Sequence, residues 1–167
     1  NAPESLYRWE WQTGRLLTKL GSVDDALGAY RRAVRTLQSI RPELSVSYGS
    51  PQTSFRETIG PVYFELVDLL LQRAGSLPDR NQAGAFLIEA RESVELFKAA
   101  ELRDYFRDDC VDTALSKVTK LDTVATSAVV IYPILLPDRT ELLVSLPTGL
   151  KRILVSVGSE ALTKEVR

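Results

Sequence analysis

Histidine and methionine are absent from the 167 residues, and cysteine occurs once, as Cys110. Without histidine the usual base near neutral pH is missing, so this chain alone assembles no Ser-His or Cys-His nucleophile pair. A zinc site built on histidine or on paired cysteines is excluded too, and no other cofactor is expected. One cysteine rules out an internal disulfide framework and fits a reducing, cytoplasmic setting. No apolar run reaches about 18 residues, so no membrane-spanning helix is expected. Nor is there an excess of one charge: 21 Lys and Arg against 22 Asp and Glu give −1, whereas a nucleic-acid binder usually shows a clustered basic excess. The missing methionine makes Asn1-Ala2 look like an expression-vector remnant. Ser159 opens a helical pattern that stops at Arg167 after barely two turns. A piece of a longer protein is therefore expected.

What is present is ordinary for a globular chain: 44% apolar and 26% charged residues. A chain of this size buries roughly 69% of its unfolded surface, enough for a real core. Residues 5–20 carry Leu6, Trp9, Thr13, Leu16, Leu17 and Leu20 by threes and fours, the spacing of an amphipathic helix. Gly21 can take the left-handed conformation that ends it. Ser22, with Asp25 three residues on, opens a second helix whose apolar face runs from Val23 to Leu37 and which is expected to end before Pro42. So short a connection forces an antiparallel hairpin. Residues 42–56, rich in Ser, Gly and Pro, read as a loop. Pro61 suits the first turn of a third helix, 60–74, which is apolar on more than one side and should be the most buried element. From Asn81 a long helical stretch carries Ala83, Leu87, Ala90, Val94 and Phe97 on one face. A further face of Leu102, Phe106, Cys110, Ala114, Val118 and Leu121 follows, with a break expected within 103–109.

The period changes after Thr123. Val129 to Leu136 is β-branched and apolar, Glu141 to Leu146 reads as a second strand, and Leu150 to Val157 alternates with Ile153, Val155 and Val157 on one face. Pro137-Asp138-Arg139-Thr140 and Pro147-Thr148-Gly149 separate them. Three strands joined this tightly make an antiparallel meander, with Pro133 confined to an edge or a bulge because it lacks a donor. Removed from covering strands, such a sheet should self-associate or fold back on the long helix.

Gly14, Gly21, Ala26, Tyr30 and Ala33 resemble the spacing of a tetratricopeptide repeat (TPR), whose unit is about 34 residues. Small residues there let two backbones approach while one large residue fills the gap to the next hairpin. Glu10, Thr13 and Gln38 depart from the signature, standing where it has Trp, Leu and Pro. A degenerate second copy reads Tyr63, Leu66 and Leu70, then Ala83, Leu87 and Ala90, with a longer turn between. A generic helical hairpin remains the alternative for both copies. The order of these helices, then Glu101-Leu102-Arg103-Asp104-Tyr105-Phe106-Arg107-Asp108-Asp109-Cys110, then Val130 to Arg139 and Glu141 to Val144, resembles the junction region of bacterial CHAT proteins, caspase-like domains associated with TPRs. That resemblance implies upstream repeats that bind other proteins and a downstream His-Cys dyad, which would lie beyond residue 167. Cys110 does not match the family's nucleophile position.

Cys110 recurs in phase with Phe106 and Ala114 and reads as a small hydrophobe. Asp108-Asp109 read as a helix N-terminus, with no second carboxylate cluster to make a metal site. Projecting the repeat spacing points Arg8, Trp11, Arg15, Thr18 and Lys19 to the face that TPR first helices offer a peptide, joined by Phe64, Asp68 and Gln72 of the second copy. Three cations around an indole could hold a carboxylate or an acidic peptide; the alternative is a solvated face with Trp11 packed on a neighbouring repeat. The expected fold is mainly α (α+β): a TPR-like helical region, 1–122, then the start of a CHAT-like domain, 123–167, with its three-stranded meander. The expected role is a non-catalytic scaffold for a protein or peptide partner, without nucleic acid, membrane, metal or cofactor. The alternatives are a contributing part of a caspase-like cysteine peptidase and a structural linker with no ligand.

Overall fold

The computed structural model describes residues 2–47, 55–106, 129–146 and 149–165. Its helices are α1 (Ala2–Lys19), α2 (Val23–Ser47), α3 (Phe55–Thr58), α4 (Gly60–Ser76) and α5 (Arg80–Phe106). Strands β1 (Val130–Leu135), β2 (Thr140–Leu146) and β3 (Gly149–Val155) follow, and then α6 (Ser159–Glu165). Helical hairpins followed by an antiparallel three-stranded meander are what the sequence pattern called for. None of the described helices is long and apolar enough to cross a membrane. Cys110, Asp108, Asp109, Ala114, Val118 and Leu121 lie outside the described residues, as does the end, 107–109, of the stretch 103–109 in which a break was expected; 103–106 continue α5.

The first hairpin closes where glycine permits it. Gly21 has φ 76°, and the Gly21 and Ser22 amides donate to the carbonyls of Thr18 (3.1 Å) and Leu17 (3.0 Å), capping the last turn of α1. Gly14 is buried facing α2, where a Cβ would stand 2.9 Å from the ring carbons of Tyr30. Only glycine lets that ring lie flat on the helix backbone. Ala26, Ala29 and Ala33 on α2 are fully buried.

Three expectations are corrected. The stripe Leu6, Trp9, Thr13, Leu16 and Leu20 faces outward, and α1 instead packs through Tyr7, Trp11, Gly14 and Leu17. The helix carries two apolar stripes, and periodicity alone does not say which meets α2. Helix α2 also runs past Pro42 to Ser47, although proline has no N–H to donate inside a helix. Within the expected loop 42–56, Phe55 opens the single turn α3, held by stacking of Phe55 on Phe97 (6.1 Å between centroids) and by Arg56 Nε donating to Glu101 (2.7 Å).

Helix α4 buries Val62, Tyr63, Leu66, Val67 and four further apolar residues, because α2 lies on one side and α5 on the other. On α5 the face Leu87, Ala90, Val94 and Phe97 is buried as its spacing requires. The meander has strand order β1-β2-β3, with Pro133 paired to Leu142 on the edge strand β1. It folds back on the helices through one face: Ile134, Leu136 and Leu143 join the helical core, while Tyr132 donates to Glu95 and accepts from Lys98 (2.9 Å). Ile131, Leu135 and Ile153 on the other face stay exposed.

A buried carboxylate makes the second joint. Glu141, fully buried on the inner face of β2, accepts from Arg152 Nε and Nη2 (both 2.6 Å) and from Arg139 Nε (2.9 Å). Arg139 reaches on to Asp68 of α4 (2.6 Å), and Arg152 lies directly over Gly75 at the end of that helix. Burial pushes the Glu141 carboxyl up, but hydrogen bonds and charge from Arg152 and Arg139 outweigh it and hold the group below the usual carboxylate range.

Two predictions follow from this packing. Gly14→Ala should destabilise by about 1–3 kcal/mol, because the added methyl meets ring carbons of the buried Tyr30 and not the far end of a flexible side chain. Gly28→Ala, whose Cβ meets only Arg32 at an ordinary 3.6 Å, should stabilise by about 0.5–1 kcal/mol through helix propensity. Urea unfolding of the pair checks both signs. Glu141→Gln should cost about 3 kcal/mol, since two guanidinium groups lose their shared anion. In the unmodified chain that contribution is complete above about pH 4.3 and is lost as pH falls through the depressed folded-state value. The unfolding midpoints of parent and variant should therefore converge in acid.

Candidate functional site

A groove of about 220 Å³ runs between the first helices of the two hairpins, α1 and α4. Arg15, Thr18 and Lys19 form one wall, Glu65, Asp68, Leu69 and Gln72 the other, and Tyr30 of α2 lies at the base. Close contact at Gly14 brings Tyr30 through the hairpin to this position, so the small residue and the groove have one cause.

Glu65 organises the groove. Its Oε2 accepts from the Trp11 indole Nε1 (2.8 Å) and the Tyr30 hydroxyl (2.9 Å), and Arg15 Nε stands 3.4 Å from the same oxygen. The Arg15 guanidinium also lies 5.0 Å from the Trp11 ring centroid, so the indole is pinned at its edge and covered on its face. Burial, and then the Glu65 charge and hydrogen bond, push the Tyr30 phenol well above its ordinary range. At neutral pH it therefore stays protonated and donates to this carboxylate.

Asp68 is committed as well: it accepts from Gln72 Nε2 (3.0 Å) and Arg139 Nη2 (2.6 Å), which ties the groove wall to the meander. Thr18 donates to the Gly14 carbonyl (2.9 Å). Lys19 is exposed and makes no ion pair among the described residues. Both acids of the groove are thus matched by protein donors, while one cation remains for a ligand. Among the described residues no group of three or more Cys, Asp or Glu gathers to hold a metal ion.

Arg15, Thr18, Lys19, Asp68 and Gln72 line the groove, and Trp11 stands beside it bonded to Glu65. Two expected members stand elsewhere. Arg8 pairs with Glu4 at 3.0 Å, one turn back along the exposed side of α1. Phe64 packs edge-on against Phe97, 5.2 Å between centroids, because that face of α4 meets α5. The cations around the indole are correspondingly reduced to Arg15, and the indole N–H is spent on Glu65. Tyr30, Glu65, Leu69 and Arg139 were missed as site residues. Tyr30 was legible as the large residue of the repeat spacing, but its partner Glu65 came with no signal in the sequence.

Compared with protein-family models, curated proteins and solved structures, the chain shows no match.

Glu65→Gln should bring the Tyr30 phenol back down toward its ordinary value, because the adjacent negative charge disappears. Ultraviolet titration of the parent, the variant and Tyr30→Phe should show two late-titrating tyrosines in the parent, Tyr30 and Tyr132, of which only Tyr30 moves earlier in the variant.

Proposed function

We propose that this chain is a protein-interaction module, a TPR-like scaffold without chemistry of its own, and that the groove between α1 and α4 takes a short acidic peptide segment. The observation that carries the reading is the charge accounting in the groove. Glu65 and Asp68 already have their donors, so a ligand carboxylate meets the open ammonium of Lys19 and the outer edge of Arg15 instead of two uncompensated acids. Arg15 is half exposed at 49% of its side chain, leaving donors of its fork free to turn toward a ligand. Leu69 supplies a small apolar contact on the opposite wall. At about 220 Å³ the groove accommodates a few side chains, not a folded domain. Binding of this kind rests on charge-assisted contacts at an exposed site and weakens with salt.

The order of TPR-like helices followed by a meander supports the wider setting: the interaction segment of a bacterial CHAT-type protein, acting in the cytoplasm, whose caspase-like chemistry would reside in other parts of the polypeptide. The absence of histidine from all 167 residues is consistent with a supporting role.

Titrating the chain with peptides that end in two acidic residues should change Trp emission, because Trp11 lies under Arg15 beside the groove. Lys19→Glu should weaken that binding by about three- to tenfold, and 0.5 M salt should weaken it in the parent. No change in emission at millimolar peptide would overturn the proposal and leave a linker without a ligand.

A further inference from the structure

The outward stripe on α1 is the largest ordered feature of the first hairpin that the described contacts leave unused. Leu6, Trp9, Thr13, Leu16 and Leu20 step by threes and fours, so they form one straight seam along the helix. Trp9 is 73% exposed, and Leu6, Leu16 and Leu20 are each about half exposed or more. Scattered apolar residues on a surface need no explanation, but four large ones in one seam do.

The second hairpin shows what such a seam meets. Aligning the two first helices so that Thr13 falls on Leu66 places Leu6, Trp9, Leu16 and Leu20 on Ile59, Val62, Leu69 and Arg73. Ile59, Val62, Leu66 and Leu69 are all 5% exposed or less. They face α2. Gln38 donates to the Tyr63 hydroxyl (2.7 Å) on one flank of the stripe, and Tyr30 donates to Glu65 on the other. Arg73, on the stripe itself, reaches Asp24 at 3.1 Å. These bonds tie the late part of α2 to the early part of α4 and the reverse, so the two helices run antiparallel. The apolar seam of a first helix is therefore covered, in this molecule, by the second helix of the hairpin before it.

We infer that the α1 seam is the seat of another helical hairpin of the same kind, joined ahead of α1, whose second helix lies antiparallel across Leu6, Trp9, Thr13, Leu16 and Leu20 as α2 lies across α4. The chemistry of that helix is specified. It is apolar along its length and carries a small side chain opposite Trp9, since an indole stands where α4 has Val62. Opposite Leu20 it is apolar and not acidic, since no cation stands where Arg73 meets Asp24. The proposal is independent of the groove, whose residues lie on another face of α1.

The test extends the full chain. Residues 1–54 are repeated ahead of residue 1, with Asp24→Leu in the added copy to make it apolar opposite Leu20, and with Trp9→Phe and Trp11→Phe there so that both indoles observed belong to the original α1. Acrylamide should quench Trp9 freely in the unextended chain and lose access to it in the extended one. Leu16→Glu in the original α1 should restore quenching. A synthetic peptide of residues 22–47 with Asp24→Leu, added in excess to the unextended chain, should shield Trp9 in the same way, whether or not the extended chain folds. Trp9 remaining open both in a folded extended chain and in the presence of the peptide would overturn the inference. So would concentration-dependent dimerisation of the unextended chain that Leu16→Glu abolishes, because a second copy would then occupy the seam.

Discussion

Tyr30 lies with its ring against the backbone of α1 at Gly14 and with its hydroxyl on Glu65 of α4, and both levels of helical packing pass through that one side chain. The ring sets the separation within the first hairpin. The hydroxyl sets the separation between hairpins, because the acceptor it needs stands on the next first helix. An aromatic ring flat on a glycine brings two helices closer than any pair of larger side chains could. A phenol that would otherwise be buried without a partner finds a carboxylate that Trp11 and Arg15 also satisfy. The groove is a consequence of this geometry: it is the space left over the Tyr30 hydroxyl between α1 and α4.

The sheet is joined to the helices by a different kind of interaction. Apolar residues of the inner face share the helical core, but the position of the meander is set by Glu141 with Arg139 and Arg152, and by Arg139 reaching Asp68. A buried carboxylate between two guanidinium groups tolerates little displacement, because moving either partner strands a charge. Asp68 belongs at once to this joint and to the groove wall. The proposed binding surface and the attachment of the meander are thus connected through one side chain.

Much of this was legible in the order of residues. Gly21, Ala26 and Ala33 mark the hairpin, Pro61 the start of α4, and the alternation from Val129 to Val157 the meander, since each depends on local backbone preference or on the period of one element. Part of the groove was legible as well: Arg15, Thr18, Lys19, Asp68 and Gln72 follow from where a repeat points its first helices. Phe64 was misplaced because it lies at the edge of that projected face, where about one residue of helical rotation decides the neighbour; Arg8 shares the phase of Arg15 but stands two turns nearer the start of α1, outside the groove lining. Arg8 found Glu4, and Phe64 found Phe97.

The sequence by itself determined most of the described helices and the three strands, residues 42–47 and α3 excepted, where the first hairpin turns, and that no histidine-based chemistry resides here. Those properties belong to single residues or to neighbours a few positions apart. Only the tertiary structure decided which of the two apolar stripes of α1 meets α2, that Pro42 lies inside a helix, and that Glu65 collects three side-chain partners and Glu141 two. A stripe's partner and a carboxylate's donors come from elements 11 to 58 residues away in cases such as Glu141 with Arg152 and Arg31 with Glu89. Spacing along one helix carries no information about what the fold will bring opposite it.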